Sequence, residues 1–326
     1  MAKPPEGSGH TETEIASQPD RWRRAAASAA GFAPVLPRPG ERVAVVGCGT
    51  SWFVGQAYAA LREAAGQGET DAFAASELPA GRAYDRLLAL TRSGTTTEVL
   101  DVLHRVRGTV PTVAITADPA TPVMGAADEV VVLDYADERS VVQTRFATTQ
   151  LVLLRAHLGE DVAGVIADAE RALAGPLPAE AVRAEQFTFL GRGWTVGLAH
   201  EAALKMREAA RAWTESYPAM EYRHGPISVT GPGRVAWMFG EPPAGLADQV
   251  EGVGGTMITS VLDPLADLIR AQRLAVELAR ARGADPDAPR NLTRSVVLDA
   301  DSGIHPVDPG TSGDPSYSAI LDADAS

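Results

Sequence analysis

An α/β fold of doubly wound parallel sheets is what this sequence predicts, and three observations carry it. Short β-branched runs alternate with helical patterns through the first half of the chain, the grammar of a parallel sheet covered by helices. A strand that runs into a glycine turn and then a helix occurs at 43–51 and again from 187 onward, so two related units are expected. The longest apolar stretches, such as 43–46 and 130–133, are strand-sized, far below the roughly 18 residues that suggest a bilayer span.

Taken in order, 42–46, 71–75, 86–90, 112–116 and 130–133 read as strands. Helical patterns lie between them at 51–65, 96–107 and 121–127, followed by a longer one at 145–159. A Pro/Ala/Glu helical connector over 160–183 leads into the second unit, with strands at 187–191, 234–239 and 255–261 and a helix at 263–282. That unit reads as abbreviated. The expected division is a flexible lead at 1–13, a first domain at 14–160 and a second at 161–298, then an acidic tail at 299–326. The tail is rich in Asp, Ser, Gly and Pro with little to bury, so it is expected to be disordered.

With 45% hydrophobic and 22% charged residues over 326 positions, the chain has the balance of an ordinary globular protein. Its start lacks the basic head and apolar core of a secretory signal, and the single cysteine, Cys48, can form no internal disulfide. A cytoplasmic protein is expected, with no membrane partner. No His or Cys cluster has ligand spacing, so neither metal nor cofactor is expected. The net charge of −13 argues against nucleic acid but leaves room for a small phosphate, which a local nest of N–H groups and hydroxyls can hold.

Four segments carry candidate chemistry. The strand at 43–46 enters the turn Gly47, Cys48, Gly49, Thr50, Ser51, where glycines admit close approach and a helix N-terminus offers free N–H groups to an anion. A second hydroxyl turn, Thr91, Arg92, Ser93, Gly94, Thr95, Thr96, follows the strand at 86–90. Two such turns at the carboxyl ends of neighbouring parallel strands converge on one site, although hydroxyls there also simply cap helices. Glu201, Lys205 and Glu208 are spaced to share one helix face, as a catalytic set or as a solvated ion-paired surface. His224, followed by Gly225 and Pro226, is fixed in a turn and suits proton shuttling near neutral pH, or a structural role.

Together these segments resemble the SIS (sugar isomerase) family, in particular the isomerase half of glucosamine-6-phosphate synthase, over roughly residues 14–298. The segment from Glu14 to Pro19 is similar to the family's opening helix, 47–51 and 91–96 to its two phosphate turns, and 138–150 to a sugar-contacting loop and helix. The helix from Glu201 to Glu208, Arg223 to Pro226, and Pro289 to Arg294 complete the set in order. The resemblance implies two SIS-type doubly wound subdomains of flavodoxin-like α/β/α build. It implies that Ser51, Thr91, Ser93 and Thr96 hold a sugar 6-phosphate and that Val141 and Gln143 lie along the sugar. Glu208 would move a proton between C1 and C2, Glu201 and Lys205 would orient the open chain, and His224 would open the ring, reaching in from the other subunit of a homodimer.

Three departures qualify the implied chemistry. No glutaminase segment with an N-terminal cysteine nucleophile is present, so glutamine is not expected as a nitrogen source. Arg92 stands where the synthase pattern has glutamine, which would place a positive charge beside the phosphate. Arg294 replaces the lysine that forms a Schiff base with a ketose, and an always-protonated guanidinium is a poor amine nucleophile. The expected activity is an isomerase or deaminase acting on an opened hexosamine 6-phosphate, glucosamine 6-phosphate or N-acetylglucosamine 6-phosphate, by C2 proton abstraction. A lyase that dehydrates the N-acetylated sugar to a 2,3-unsaturated phosphate, and a non-catalytic sugar-phosphate sensor, are the alternatives.

Overall fold

A computed structural model describes residues 9–298; the expected disordered tail at 299–326 and the first eight residues of the expected flexible lead lie outside them. Two helices, α1 (His10–Ala16) and α2 (Gln18–Phe32), precede the first sheet. That sheet is built from β1 (Val43–Gly47), α3 (Thr50–Ala64), β2 (Thr70–Ala74), β3 (Arg86–Leu90), α4 (Thr97–Val106), β4 (Thr112–Thr116), α5 (Val123–Ala126) and β5 (Glu129–Val132). Then come α6 (Arg145–His157), α7 (Ala163–Ala174) and α8 (Ala179–Arg183). The second sheet uses β6 (Gln186–Gly191), α9 (Thr195–Ala210), β7 (Thr214–Pro218), β8 (Arg234–Met238), α10 (Leu246–Gly252) and β9 (Thr256–Ile258), closed by α11 (Pro264–Ala281).

Both sheets are wholly parallel and share one winding. The first has strand order β2-β1-β3-β4-β5 and the second β7-β6-β8-β9, so each begins in the middle, steps out to one edge and then winds back across. The second lacks only the fifth strand, which is the expected abbreviation. Register follows from burial: β1, β3 and β4, buried along their whole length, pair through Val43 with Arg86 and through Leu87 with Thr112. Strands covered on both faces need continuous apolar runs.

One continuous core joins the sheets. Val45, Leu88 and Ile115 of the first, and Phe187, Phe189 and Trp237 of the second, share it with α2, α3, α6, α7, α9 and α11. The outer face of the first sheet is closed by Val99, Val102 and Leu103 of α4, spaced to fall on one helix face. Asp263 starts α11 by accepting the Leu265 N–H at 2.9 Å, with Pro264 at the first helical position.

The structure departs from the sequence expectation in several places. Residues 10–13 are helical rather than flexible, because Asp287 accepts the His10 and Thr11 amides, each at 2.7 Å, and the Thr11 hydroxyl at 2.6 Å. The connector at 160–183 is two helices. Strand β7 carries no apolar run, since Thr-Glu-Ser-Tyr-Pro forms an edge. Helix α10 is a further addition, and β9 is shorter than the expected 255–261. Among the described residues no helix is long and apolar enough to cross a membrane.

Candidate active site

The first turn is tight. A Cβ on Gly47 would lie 2.8 Å from the Ser51 backbone carbonyl carbon, and Gly49 has φ +53°, so only glycines let β1 fold directly into α3. Thr50 and Ser51 are buried in the first turn of α3. The Ser51 amide donates to Cys48 O at 3.1 Å, and its hydroxyl has no hydrogen-bond partner among the described residues.

At the second turn, the Thr91 hydroxyl accepts the Gly94 amide at 3.2 Å and the Ser93 hydroxyl accepts the Thr95 amide at 3.3 Å. Oγ of Ser93 and Oγ1 of Thr96 stand 3.5 Å apart. Ser295, adjacent to Arg294 in the last described segment, sets its own Oγ among them, 3.1 Å from Ser93, 3.0 Å from Thr95 and 3.3 Å from Thr96. Thr95 and Ser295 were not singled out in the sequence; Ser295 had a signal only in its place beside Arg294.

Arg92 does something other than expected. Arg92 is buried, with a relative exposure of 2%. It donates to Ser140 O at 2.9 Å, Val141 O at 3.0 Å and Arg294 O at 3.2 Å, while Glu138 lies 3.7 Å away. A buried cation needs a counter-ion and carbonyls more than a solvated site offers, so Arg92 pins the loop at 138–143 to the last segment instead of standing as a free charge for phosphate. Arg294 is similarly engaged: it donates to Glu138 O and pairs with Asp137 at 2.5 Å.

Glu138 holds that loop from beneath. Its Oε1 accepts the amides of Thr144 at 2.6 Å and Arg145 at 2.8 Å and the Thr144 hydroxyl at 2.7 Å, capping α6 where the helix dipole favours a carboxylate. Val141 and Gln143 are half-buried on this loop, and Gln143 Oε1 is buried without a partner.

Strand β6 reaches α9 through a second close turn, where a Cβ on Gly191 would lie 2.2 Å from Thr195 O. The face carrying Glu201, Lys205 and Glu208 is turned inward, not to solvent. Lys205, 1% exposed, donates to Thr50 Oγ1 at 2.9 Å and Glu208 Oε2 at 2.5 Å, with Glu201 at 3.5 Å. Helices α9 and α3 can approach this closely because Gly197 faces Phe53 O, 2.4 Å from where a Cβ would sit. Burial pushes the Glu201 carboxyl up to about 7, against the pull of Lys205. Burial also works against the Lys205 charge, but Glu201 and Glu208 outweigh it and hold its pKa above the ordinary lysine value.

The structure therefore gathers Glu201, Lys205 and Glu208 with Thr50, gathers Ser93 and Thr96 with Ser295, and ties Val141 to Arg294 through Arg92. It does not bring His224 to them within one chain. His224 is exposed at the end of a short 3-10 turn, Glu221–His224, and its side chain makes no hydrogen bond or ion pair among the described residues.

Two parallel sheets with interleaved helices define an α/β protein whose fold matches that of solved phosphosugar isomerases. No family model matches the chain. Among curated proteins it is 27% identical to the isomerizing glutamine–fructose-6-phosphate aminotransferase of Gloeobacter violaceus, over 79% of this chain and 52% of that one. The same enzyme of Pyrobaculum aerophilum is 31% identical, over 66% of this chain and 44% of the relative. The chain thus spans about half the length of the curated relatives it matches. Among solved structures, glucosamine-6-phosphate deaminase from Thermotoga maritima is 25% identical with a TM-score of 0.73, covering 89% of this chain and all of the other. Tagatose-6-phosphate ketose/aldose isomerase from Escherichia coli shares the fold at 20% identity, TM-score 0.73, over 94% of this chain and 99% of that one. Homologues and structural neighbours alike are consistent with the SIS family, the one the motifs resemble.

Proposed function

We propose that this chain is a sugar-phosphate enzyme of the isomerase/deaminase type, acting on the opened form of a hexosamine 6-phosphate by proton abstraction at C2. One observation carries the reading. Glu208 is clamped through Oε2 by the buried Lys205 ammonium, while its side chain keeps 19% of its exposure and Oε1 has no partner among the described residues. That is the posture of a base held still on one side and open on the other. The Ser51 and Ser93/Thr96 turns take the 6-phosphate, with the first turn of α3 supplying amides.

In this reading His224 opens the pyranose. Glu208 takes the C2 proton, the C–H electron pair becomes the enolate of the C1 aldehyde, O1 takes up a proton, and return of the first proton at C1 gives a C2 imine, which water hydrolyses to the ketose with release of ammonia. The isolation of His224 within the chain supports its action on a second copy, in a homodimer. Cytoplasmic residence fits Cys48, a free thiol whose pKa burial and Glu98 raise to about 11, which leaves it unreactive.

Arg294 favours a second reading. Its guanidinium is committed to Asp137 and Glu138 and offers no amine for capturing a ketose. On N-acetylglucosamine 6-phosphate the same enolate, with a poor leaving group on nitrogen, would expel the C3 hydroxyl. The test is incubation with glucosamine 6-phosphate and with N-acetylglucosamine 6-phosphate in heavy water. Deuterium at C2 that disappears in Glu208→Gln is expected, and a product lighter by one water marks the lyase. Absence of label from both sugars with the unmodified protein overturns the proposal.

A further inference from the structure

The last described segment lies in the anion turn itself. Asn291 adopts a left-handed conformation, φ +62°, which asparagine tolerates better than most residues, and the chain then runs back across the site as a strap at 290–296. Arg294 fastens it to Asp137 and Glu138. One residue further, Ser295 places its hydroxyl within 3.3 Å of the hydroxyls of Ser93, Thr95 and Thr96. Val296 O then accepts the Thr97 amide at 3.2 Å. That amide opens α4, where an anion would be received.

We propose that Ser295 and Val296 form a self-plug, a neutral stand-in for the phosphate that a phosphorylated ligand must displace; this rests on the reading of the Ser93/Thr96 turn as the phosphate site. The chemistry of the occupant points this way. A single hydroxyl has one proton and two lone pairs, so Ser295 can partner all three, accepting from Ser93 and Thr95 and donating to Thr96, but only through neutral hydrogen bonds that use its whole capacity. A dianion can accept from all of them, and charge-assisted hydrogen bonds are roughly twice as strong as neutral ones.

The anchoring also fits a plug. Arg92 holds Arg294 O at 3.2 Å and Arg294 is held in turn by Asp137 and Glu138. The strap can therefore stay fastened at 294 while 295–296 swings out. Because Arg92 also holds Val141 O, the strap, the phosphate turn and the sugar loop share one buried guanidinium. Ligand entry at the turn is thereby linked to the loop that lies along the sugar.

Apparent affinity falls by the fraction of molecules in which the site is open. Removing the Ser295 hydroxyl weakens the plug and raises that fraction. Calorimetric titration of the full chain with inorganic phosphate should show Ser295→Ala binding roughly threefold to tenfold more tightly than the unmodified protein. Added phosphate should also shift the 13C resonance of the Val296 carbonyl as it loses the Thr97 amide. Equal or weaker binding by Ser295→Ala, or a Val296 carbonyl that does not respond to saturating phosphate, overturns the plug. Thr96→Val separates the two readings. If it weakens phosphate while Ser295→Ala brings no gain, the plug fails and the phosphate turn stands. If neither substitution changes phosphate binding, both readings fail.

Discussion

Lys205 and Glu208 hold each other across 2.5 Å, Nζ to Oε2, within one turn of α9. The ammonium is buried and also donates to Thr50 across the helix pair, so the carboxylate is fixed in direction by a group fixed in place. Replacing Lys205 by Met leaves Glu201 and Glu208 as neighbouring acids without a cation. Breaking a buried pair of this kind costs about 3–5 kcal/mol. Urea denaturation should show that loss, and turnover of glucosamine 6-phosphate should fall roughly 100-fold as the base loses its orientation.

Glu201 gives the site a dependence on pH. Its folded pKa, about 7 against 4.5 when unperturbed, means that the folded state binds the proton more strongly. The associated stability is full below pH 4.5 and is lost as pH rises through 7, by about 3 kcal/mol for this single group. Stability of the unmodified protein should decline over that window more steeply than that of Glu201→Gln. Denaturation midpoints measured at half-unit steps from pH 4.5 to 8 check this, and parallel curves would refute it.

Arg92 is expected to matter through the loops and not through direct charge on phosphate. Arg92→Met removes three carbonyl partners and leaves Glu138 buried beside an apolar side chain, a loss of about 3–5 kcal/mol. Arg92→Lys keeps the charge but not the fork, and should recover only part of it. Thermal melts of the two variants, compared with the unmodified protein, give the ranking.

Gly197 tests the packing that brings Lys205 to Thr50. A methyl group there meets Phe53 O and Ala57 N, at 2.4 and 2.8 Å, so α3 and α9 must part. Gly197→Ala should destabilise the fold by about 1–3 kcal/mol and lower turnover together with stability. The Lys205→Met variant, by contrast, should lose turnover beyond its loss of stability.

The proposed contribution of His224 from a second copy predicts complementation. Mixed dimers of Glu208→Gln and His224→Ala chains contain one site with both groups intact, so they should regain up to half of normal activity per dimer, while each variant alone stays inactive. Assay of heterodimers isolated with two affinity tags decides it. Inactive heterodimers would show that the histidine does not act across subunits.

The parallel α/β class, the strands at 86–90 and 112–116, and the three residues on one face of α9 were legible in the sequence. Each is a matter of local periodicity, and apolar runs and helical spacing survive whatever the chain later packs against. Strand β7 was not legible, because an edge strand buries little and its polar residues carry no alternation. The start of helix α1, residues 10–13, was missed for a related reason: what orders it is Asp287, 277 residues from His10.

At the site the same division holds. The sequence by itself determined which hydroxyls follow which strands, and that Glu201, Lys205 and Glu208 share a face. Only the tertiary structure decided that this face is buried against Thr50, because helix spacing does not say which side meets water. The direction of Arg92 was likewise a tertiary outcome, since a guanidinium goes where carbonyls and a counter-ion converge, and those come from residues 138, 140, 141 and 294. The seat of Ser295 is the longest-range case. No local pattern ties position 295 to position 93, and only the path of the folded chain brings their hydroxyls to 3.1 Å.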